Sequence, residues 1–131
     1  MKSAKLFIAL LAIAVLAACT APNGEEVTQQ FTPQEITNAA QEWVMQAPTY
    51  AYDGIEIEQV DYVEQSTTPP THTVVFNFTT SSAGYGDRSD QMTAQVITEH
   101  QIRVLLVDGE VREAIINNEY DELNQQLIAE Q

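Results

Sequence analysis

Apolar residues recur at helical spacing over residues 31–47, and they form the most regular pattern in the chain. Polar residues fill the positions between them, so the pattern predicts an amphipathic helix with one face in a core. Thr32, Pro33 and Glu35 have the residue types of an N-cap, a first helical position and a capping box. Pro48 disfavours helical backbone at the residue before it, which predicts the end of the helix there. The apolar face consists of Ile36, Ala39, Ala40, Trp43, Val44 and Ala47.

Alternating polar and apolar positions follow this helix and predict β-strands. Tyr50 and Tyr52 alternate as in a short extended segment. Residues 55–65 fit a strand whose apolar positions change phase, which indicates a β-bulge near Glu58-Gln59. Residues 73–80 alternate without interruption and form the most regular predicted strand.

A long strand and a hairpin are predicted in the last third of the chain. Residues 92–107 alternate like a strand, with a polar interruption at 98–100 that indicates a second bulge. Asp108-Gly109 is typical of a two-residue type I′ turn, and it joins this strand to residues 110–117. The resulting register pairs Leu106 with Val111, Val104 with Glu113, Ile102 with Ile115 and His100 with Asn117.

Residues 118–128 predict a second, shorter helix. Asn118 is a typical N-cap residue, and acidic residues follow it in the first turn, where the helix dipole favours them. The complete order predicts an α+β fold, in which the N-terminal helix packs on a four-stranded antiparallel sheet and a short C-terminal helix follows. This two-layer arrangement resembles the cystatin-like architecture. The likeness is one of fold and implies no function.

The first 18 residues have the three-part organisation of a secretory signal peptide. Lys2 and Lys5 precede the apolar run Leu6–Ala18, whose 13 residues are too few to span the roughly 30 Å hydrocarbon core of a bilayer. The run ends in Leu16-Ala17-Ala18-Cys19, which resembles the lipobox of bacterial lipoproteins. The resemblance implies that Cys19 becomes the first residue of the mature chain. It also implies that acyl chains such as palmitate on Cys19 anchor the protein to a membrane.

The rest of the chain divides into a tether and a domain. Residues 19–30 are polar, contain Pro and Gly and show no period, which predicts a flexible lipid-anchored tether. Residues 31–131 are predicted to form a single α+β domain. Because Cys19 is the only cysteine, the domain has no internal disulfide. The protein is expected to be exported and lipid-anchored to a membrane, in the periplasm or on an outer face.

Removal of the signal peptide would leave a strongly acidic chain. Both lysines lie in that segment, so the mature chain would keep three arginines against 19 acidic residues, a formal charge of −16. This charge disfavours nucleic acids and anionic lipid surfaces as partners. It fits either the hydration of a protein from a saline habitat or ordinary solubility through net charge.

Four segments of the domain resemble a group of small, uncharacterised proteins. They are Ala47–Ile55, Ala83–Arg88 (Ala-Gly-Tyr-Gly-Asp-Arg), Ala94–His100 and Glu119–Glu122. The group comprises secreted or lipid-anchored single-domain proteins of bacteria and archaea. The resemblance implies an exported domain, and it implies no chemistry.

The loop of residues 81–90 is the candidate contact surface. Loops on rigid scaffolds often bind partners, and aromatic and arginine side chains contribute most to such contacts. Tyr85 is therefore the expected anchor, and Asp87, Arg88 and Asp90 are the expected polar determinants. Alternatively, Asp87 and Arg88 hold the loop in shape by pairing with each other or with the backbone.

The two histidines, His72 and His100, do not form a metal-binding motif. Neither belongs to a His-Glu-x-x-His or Cys-x-x-Cys pattern, so neither a metal site nor a cofactor is predicted. We expect His72 to be exposed and His100 to be partly buried against a neighbour such as Asn117. The chain has no motif of a catalytic nucleophile or a phosphate loop, so no catalytic residues are predicted.

Three functions are compatible with these sequence features. The first is a lipid-anchored, non-enzymatic binding module that contacts an envelope protein through the 81–90 loop, with no small-molecule ligand. The second is a small hydrolase or inhibitor-like domain that uses His100 and the loop acids. The third is a structural envelope protein whose acidic surface collects cations.

Overall fold

A computed structural model describes residues 30–129, in which two helices accompany one antiparallel sheet. The six strands lie in the sheet in the order in which they follow one another along the chain. The α+β class is therefore confirmed, whereas the predicted four strands and the predicted helix layout are wrong. No helix within residues 30–129 is long and apolar enough to cross a membrane. The elements are α1 (Pro33–Gln46), α2 (Pro48–Asp53), β1 (Gly54–Gln65), β2 (Thr71–Thr80), β3 (Thr98–Val107), β4 (Glu110–Ile116), β5 (Tyr120–Asp121) and β6 (Gln126–Leu127).

Helix α1 begins with the predicted capping box. The Glu35 amide donates to Thr32 Oγ1 at 3.1 Å, and the Thr32 amide donates to Glu35 Oε2 at 2.8 Å. The helix ends before Ala47, whose backbone is extended, as the proline after it requires. Ile36, Ala40 and Val44 are buried against the sheet.

A second helix replaces the predicted extended segment at Tyr50 and Tyr52. Pro48 occupies the first turn of α2, where its fixed φ suits a helix and its missing N–H removes no hydrogen bond. The Ala51 amide donates to the Ala47 carbonyl at 2.8 Å. Two tyrosines two positions apart are compatible with either conformation, and the neighbouring proline favours the helix.

The core lies between α1 and one face of the sheet. Strand β2 alternates as predicted, with Val74, Phe76 and Phe78 buried on that face. Strands β3 and β4 add the rest of the sheet's apolar layer, which comprises Ile102, Val104, Leu106, Ala114 and Ile116. Strand β1 lies at one edge of the sheet and is mostly exposed.

The β3–β4 hairpin has the predicted turn but only part of the predicted register. Asp108 and Gly109 have φ values of 53° and 80°, as a type I′ turn requires. Leu106 pairs with Val111, as predicted. An irregularity between Leu105 and Leu106 then shifts the remaining pairs by one residue. The observed pairs are Leu105 with Glu113, Val104 with Ala114, and Ile102 with Ile116.

This shift explains how the hairpin accommodates Glu113. In the predicted register the carboxylate would lie opposite Val104 in the core, where an unpaired charge is costly. In the observed register Ala114 takes that position and Glu113 is exposed. The bulge in β1 lies between Gln59 and Asp61, close to its predicted place. The bulge predicted at 98–100 is wrong, because β2 and β3 pair continuously from Thr80–Thr98 onward.

The predicted strand at 92–107 is too long. Strand β3 begins at Thr98 because β2 ends at Thr80, and the chain beyond Thr80 turns into the 81–90 loop. Residues 92–97 therefore lack a partner strand, although their sequence alternates like one.

The predicted C-terminal helix at 118–128 is also wrong. Asn117 and Asn118 have φ values of 53° and 60°, in the left-handed region that asparagine tolerates better than most residues. They turn the chain so that the short strands β5 and β6 extend the sheet beyond β4. Tyr120 and Glu122 are thereby buried beside the 81–90 loop.

Substitution of Gly109 by alanine is expected to destabilise the domain by about 1–3 kcal/mol. The residue has a positive φ, and an added Cβ would lie 2.6 Å from Cζ of the Phe31 ring. Urea unfolding of the variant would measure the loss. The double variant with Phe31→Ala is the control: it removes the steric clash but not the backbone strain. An unchanged midpoint in the single variant would contradict the expected effect.

Candidate functional site

The loop of residues 81–90 is built around the buried side chain of Arg88. This side chain is 0% exposed. Its Nη2 forms an ion pair with Asp53 at the end of α2, and its Nη1 donates to the Gly86 carbonyl at 2.5 Å. Nε lies 3.4 Å from Ser82 Oγ. The guanidinium also lies over the Tyr52 ring, 4.8 Å from its centroid.

Glycine allows the loop to close around this arginine. Gly84 has a φ of 103°, and a Cβ at that position would lie 2.9 Å from Arg88 Cδ. The hydroxyls of Ser81 and Ser82 donate to Asp53 Oδ2. Asp53 therefore accepts hydrogen bonds from both serines and from Arg88, so one carboxylate connects α2 with both ends of the loop.

Glu122 forms a second buried connection beneath the loop. Its carboxylate accepts hydrogen bonds from the Thr49 amide at 2.8 Å and from the Thr49 hydroxyl at 2.6 Å. Thr49 Oγ1 accepts in turn from the Gly86 amide at 2.7 Å. Burial raises the pKa of Glu122, and the bonds from Thr49 and the nearby Arg88 oppose that rise.

His100 lies in a directed chain of hydrogen bonds. The Gln101 amide donates to Asn117 Oδ1 at 2.9 Å, which leaves Asn117 Nδ2 to donate to His100 Nδ1 at 3.1 Å. The proton of a neutral His100 is then assigned to Nε2, which donates to Thr80 Oγ1 at 3.1 Å. The Thr80 hydroxyl donates to the Ser82 carbonyl at 2.8 Å. Both ring nitrogens of His100 are therefore occupied.

The Tyr85 ring packs against two buried rings, while its hydroxyl bonds to residues at the surface. Its ring stacks on Tyr120 with centroids 4.7 Å apart and planes 9° from parallel, and it lies 5.6 Å from the His100 ring. The Tyr85 hydroxyl donates to Glu119 and accepts from Asn117 Nδ2 at 3.2 Å. Burial and the bond to Glu119 raise the pKa of Tyr85.

The predicted site residues thus fall into two groups. Arg88 and His100 are buried at 0% and 4% exposure, and Tyr85 is half-buried beside the rings of His100 and Tyr120. Asp87 and Asp90 are exposed. Asp87 Oδ1 accepts from the Ser89 amide at 2.9 Å, and the hydrogen bonds with Ser89 lower its pKa. Arg88 therefore holds the loop in shape through Asp53 rather than through Asp87, and it is not presented to a partner.

Two open grooves on the described surface do not combine Tyr85, Asp87 and His100. A groove of about 690 Å³ has His100 and Asn117 at one side, and the polar face of the sheet lines the rest. This groove includes neither Tyr85 nor Asp87. Three of its lining side chains are carboxylates, namely Glu56, Glu58 and Glu99. Within residues 30–129, no three His, Cys, Asp or Glu side chains are placed to hold a metal ion together.

His72 is buried at 1% exposure, so the expectation that it is exposed is wrong. It lies on the core face of β2, and the Tyr62 hydroxyl is 2.8 Å from its Nδ1. Its Nε2 has no hydrogen-bond partner among the described residues. The side chain borders a second groove, of about 530 Å³, between the start of α1 and the β1–β2 loop.

Sequence reasoning missed three residues of the buried network: Thr49, Asp53 and Glu122. The Asp53-Gly54 pair has the residue types of a turn, and Glu122 lies among the acidic residues at the start of the predicted C-terminal helix. Glu122 is 73 residues from Thr49 along the chain, and Asp53 is 35 residues from Arg88. Such pairs leave no local pattern. The one available signal was an arginine in a chain with few cations, since a buried arginine requires a carboxylate.

The pH dependence of stability should report the burial of His100. Burial, followed by the nearby Arg88, lowers the pKa of His100 below its usual 6.5. A lowered pKa for a base means that the folded state favours the neutral ring. The contribution to stability is therefore present above about pH 6.5 and is lost as the pH falls below it.

We expect the wild-type protein to lose stability relative to His100→Gln between pH 7 and about pH 5. Thermal melts of both proteins at each pH measure the difference in melting temperature. The contributions of the acidic groups that both proteins share cancel in this difference. A difference in melting temperature between the two proteins that stays constant from pH 7 to pH 5 would contradict the lowered pKa of His100 in the folded state.

The described chain is an α+β domain in which a loop of defined shape rests on a buried ionic and hydrogen-bonded network. No protein-family model matches the sequence, and neither a curated protein nor a solved structure matches it significantly.

Proposed function

We propose that the protein is a lipid-anchored envelope lipoprotein that acts as a non-enzymatic interaction module through its 81–90 loop. The observation that supports this most is the burial of Arg88 at 0% exposure. The ion pair between Arg88 and Asp53 holds the loop in shape. Asp87, Ser89 and Asp90 remain exposed on the surface of the loop. A loop held in one shape binds with a smaller entropic cost than a mobile one.

The positions of the polar side chains favour binding over hydrolysis. The alternative function would use His100 as a base, yet Asn117 and Thr80 occupy its two nitrogens. The Ser82 hydroxyl donates to Asp53 and is 1% exposed. A general base must reach the proton that it abstracts. Here the nitrogens of His100 and the hydroxyl of Ser82 are instead hydrogen-bonded to other side chains of the domain. They support the shape of the loop.

We also propose the anchor and the finer fold type. The lipobox-like ending at Cys19, the signal peptide at 1–18 and the tether at 19–30 lie almost wholly outside the described residues and rest on the sequence. Acyl chains on Cys19 would place the domain at a membrane surface outside the cytoplasm. The packing of α1 on the antiparallel sheet supports a variant of the cystatin-like two-layer architecture, extended by β5 and β6. The likeness to small exported proteins of bacteria and archaea is proposed on the same sequence basis.

Site-specific photo-crosslinking in intact cells tests the contact surface. A photoreactive residue at the exposed Asp90 is expected to yield a discrete adduct with an envelope protein. The control places it at Glu110, whose side chain is 71% exposed and lies on the β3–β4 hairpin. Adducts of equal yield at both positions, or none at Asp90, would refute the loop as a contact surface. A Cys19→Ser variant should lose both metabolic acyl labelling and membrane association, and this arm tests the anchor separately.

A further inference from the structure

Residues 92–97 have the sequence of a strand but no strand partner. Met92, Ala94 and Val96 alternate with Thr93, Gln95 and Ile97, and the segment contains no charged residue. In the structure this segment precedes β3 and belongs to no strand. A local preference that the rest of the fold leaves unused is expected most often at functional positions.

The backbone of this segment has unused hydrogen-bonding groups. The Ala83 amide donates to the Ala94 carbonyl at 3.1 Å, and the Val96 amide donates to the same carbonyl at 3.0 Å. Within residues 30–129, no acceptor is found for the other amides of the segment, those of Met92, Thr93, Ala94, Gln95 and Ile97. A segment with strand-forming residues and unpaired amides can pair with another strand.

The side chains of the segment are unusually exposed for their type. Met92 is fully exposed, and Val96 and Ile97 are 52% and 69% exposed. Apolar side chains that are exposed singly are common, but several within six residues of a neutral segment are typical of a protein-contact surface. Pairing with a second strand would place that strand's side chains beside these on both faces of the pair.

Exposed carboxylates flank the segment at both ends. Asp87 and Asp90 lie on the loop before it, and Glu99 follows it at the start of β3. A strand paired along 92–97 would bring its own ends close to these acids. Basic residues at the ends of the added strand would be attracted, and acidic ones would be repelled.

We propose that residues 92–97 accept an extended peptide strand from another protein, with alternating apolar residues and basic residues at its ends, and pair with it by β-strand addition. The inference rests on the proposed function, since it assigns a partner chemistry to the surface that begins with the 81–90 loop. A second copy of this chain fits less well. Its own 92–97 segment has acidic residues on both sides, so two copies would set like charges against each other.

Amide hydrogen exchange of the full chain with a synthetic peptide tests the proposal. The probe is a peptide of three Thr-Val repeats between lysine pairs. We expect it to slow the exchange of the amides at 92–97 by on the order of tenfold or more. A version flanked by glutamate pairs, and a version with alternate backbone amides methylated, should have little effect. The protection should also weaken as the salt concentration rises.

The Gln95→Pro variant supplies the matched control in the protein. The Gln95 amide has no acceptor within residues 30–129, so proline removes a donor available to the peptide without breaking a bond among those residues. We expect this variant to keep the wild-type melting temperature and to lose the peptide-induced protection. Gln95→Ala should retain both.

Each other outcome overturns the inference. Exchange at 92–97 that the lysine-flanked peptide does not slow would contradict strand addition. Protection without peptide that rises with protein concentration would instead identify a second copy as the partner. Protection without peptide at every concentration would place another part of this chain on the segment. An Asp90 adduct in cells without peptide-induced protection would uphold the interaction module and refute only the strand pairing.

Discussion

Replacement of Arg88 by methionine is expected to destabilise the domain by about 3–5 kcal/mol. The side chain is wholly buried, and its removal would leave the Asp53 carboxylate, which is 11% exposed, without a cation. The Gly86 carbonyl would also lose its donor. A domain of about a hundred residues melts roughly 4–8 °C lower for each kcal/mol lost from its free energy of unfolding. The variant should therefore melt tens of degrees below the wild type.

The chain offers a close control for this substitution. Arg112 forms an ion pair with Glu110 at 2.9 Å, but the two side chains are 60% and 71% exposed. Arg112→Met removes the same charge and adds the same side chain, and it should change the melting temperature little because exposed pairs contribute little. If both variants melted alike, the burial of the Arg88 pair would not be what stabilises the loop.

A second variant separates the lost ion pair from the lost volume. Asp53→Asn combined with Arg88→Met removes the unpaired charge, so the double variant should recover part of the stability lost in Arg88→Met. Equal stability of the single and double variants would show that packing around Arg88, rather than its charge, is decisive. Arg88→Lys keeps the charge, and its stability is expected to lie between those of the wild type and Arg88→Met. Lysine lacks the planar guanidinium group that donates several hydrogen bonds at once.

Replacement of Glu122 by alanine should cost about 2–4 kcal/mol near pH 5, and less near pH 8. The variant leaves two buried donors of Thr49 without an acceptor, and each such loss costs about 1–3 kcal/mol. The pH dependence follows from burial, which raises the pKa of Glu122 in the folded state. Its stabilising contribution is therefore full below the unfolded pKa of about 4.5 and declines as the pH rises through the raised folded value.

Asp121, the adjacent residue, should behave differently. Hydrogen bonds from Asn124 lower its pKa, so its contribution is present above its usual pKa of about 3.8 and is lost only as the pH falls below that value. Between pH 5 and pH 8 the effect of Asp121→Ala should be constant, while the effect of Glu122→Ala should shrink. Denaturant titrations at these two pH values measure both. A growing effect of Glu122→Ala toward pH 8 would reverse the assigned direction of its pKa.

The stability of the loop and its proposed binding are separable. The buried network holds the loop in shape, whereas in the proposed function the exposed Asp90 and residues 92–97 would contact the partner. Substitutions such as Arg88→Met should therefore weaken binding by loosening the loop, and Gln95→Pro should weaken it without loss of stability. A comparison of the two classes would show whether binding depends on the preformed loop.

Local sequence patterns predicted those parts of the fold in which neighbours along the chain determine the conformation. The capping box of α1, its end before Pro48, the alternation of β2 and the Asp108-Gly109 turn each depend on a few consecutive residues. The predictions failed where the partner of a segment decides its structure. Residues 92–97 alternate like a strand but have no partner strand. Within residues 118–128, Tyr120–Asp121 pair with β4 and Gln126–Leu127 pair with β5, so no helix forms there.

For the candidate site, the sequence indicated the 81–90 loop but not the buried residues that hold the loop in shape. Tyr85, Asp87, Arg88, Asp90 and His100 were selected from their residue types alone. Burial then distinguished them, because Arg88 and His100 point into the network and the two aspartates do not. The pairing of His100 with Asn117 was expected from the hairpin register, and it occurs through their side chains beyond the last paired residues, Ile102 and Ile116.

The sequence by itself determined the acidic composition, the α+β class, helix α1 and the regular strands. Each of these follows from composition or from the period of apolar residues, which a linear chain displays directly. Only the tertiary structure decided that Arg88 pairs with Asp53, that Glu122 bonds to Thr49 and that residues 92–97 stay unpaired. The physical reason is the same in each case. Burial and pairing join residues tens of positions apart, and the energy of such a contact has no trace in the local order of residues.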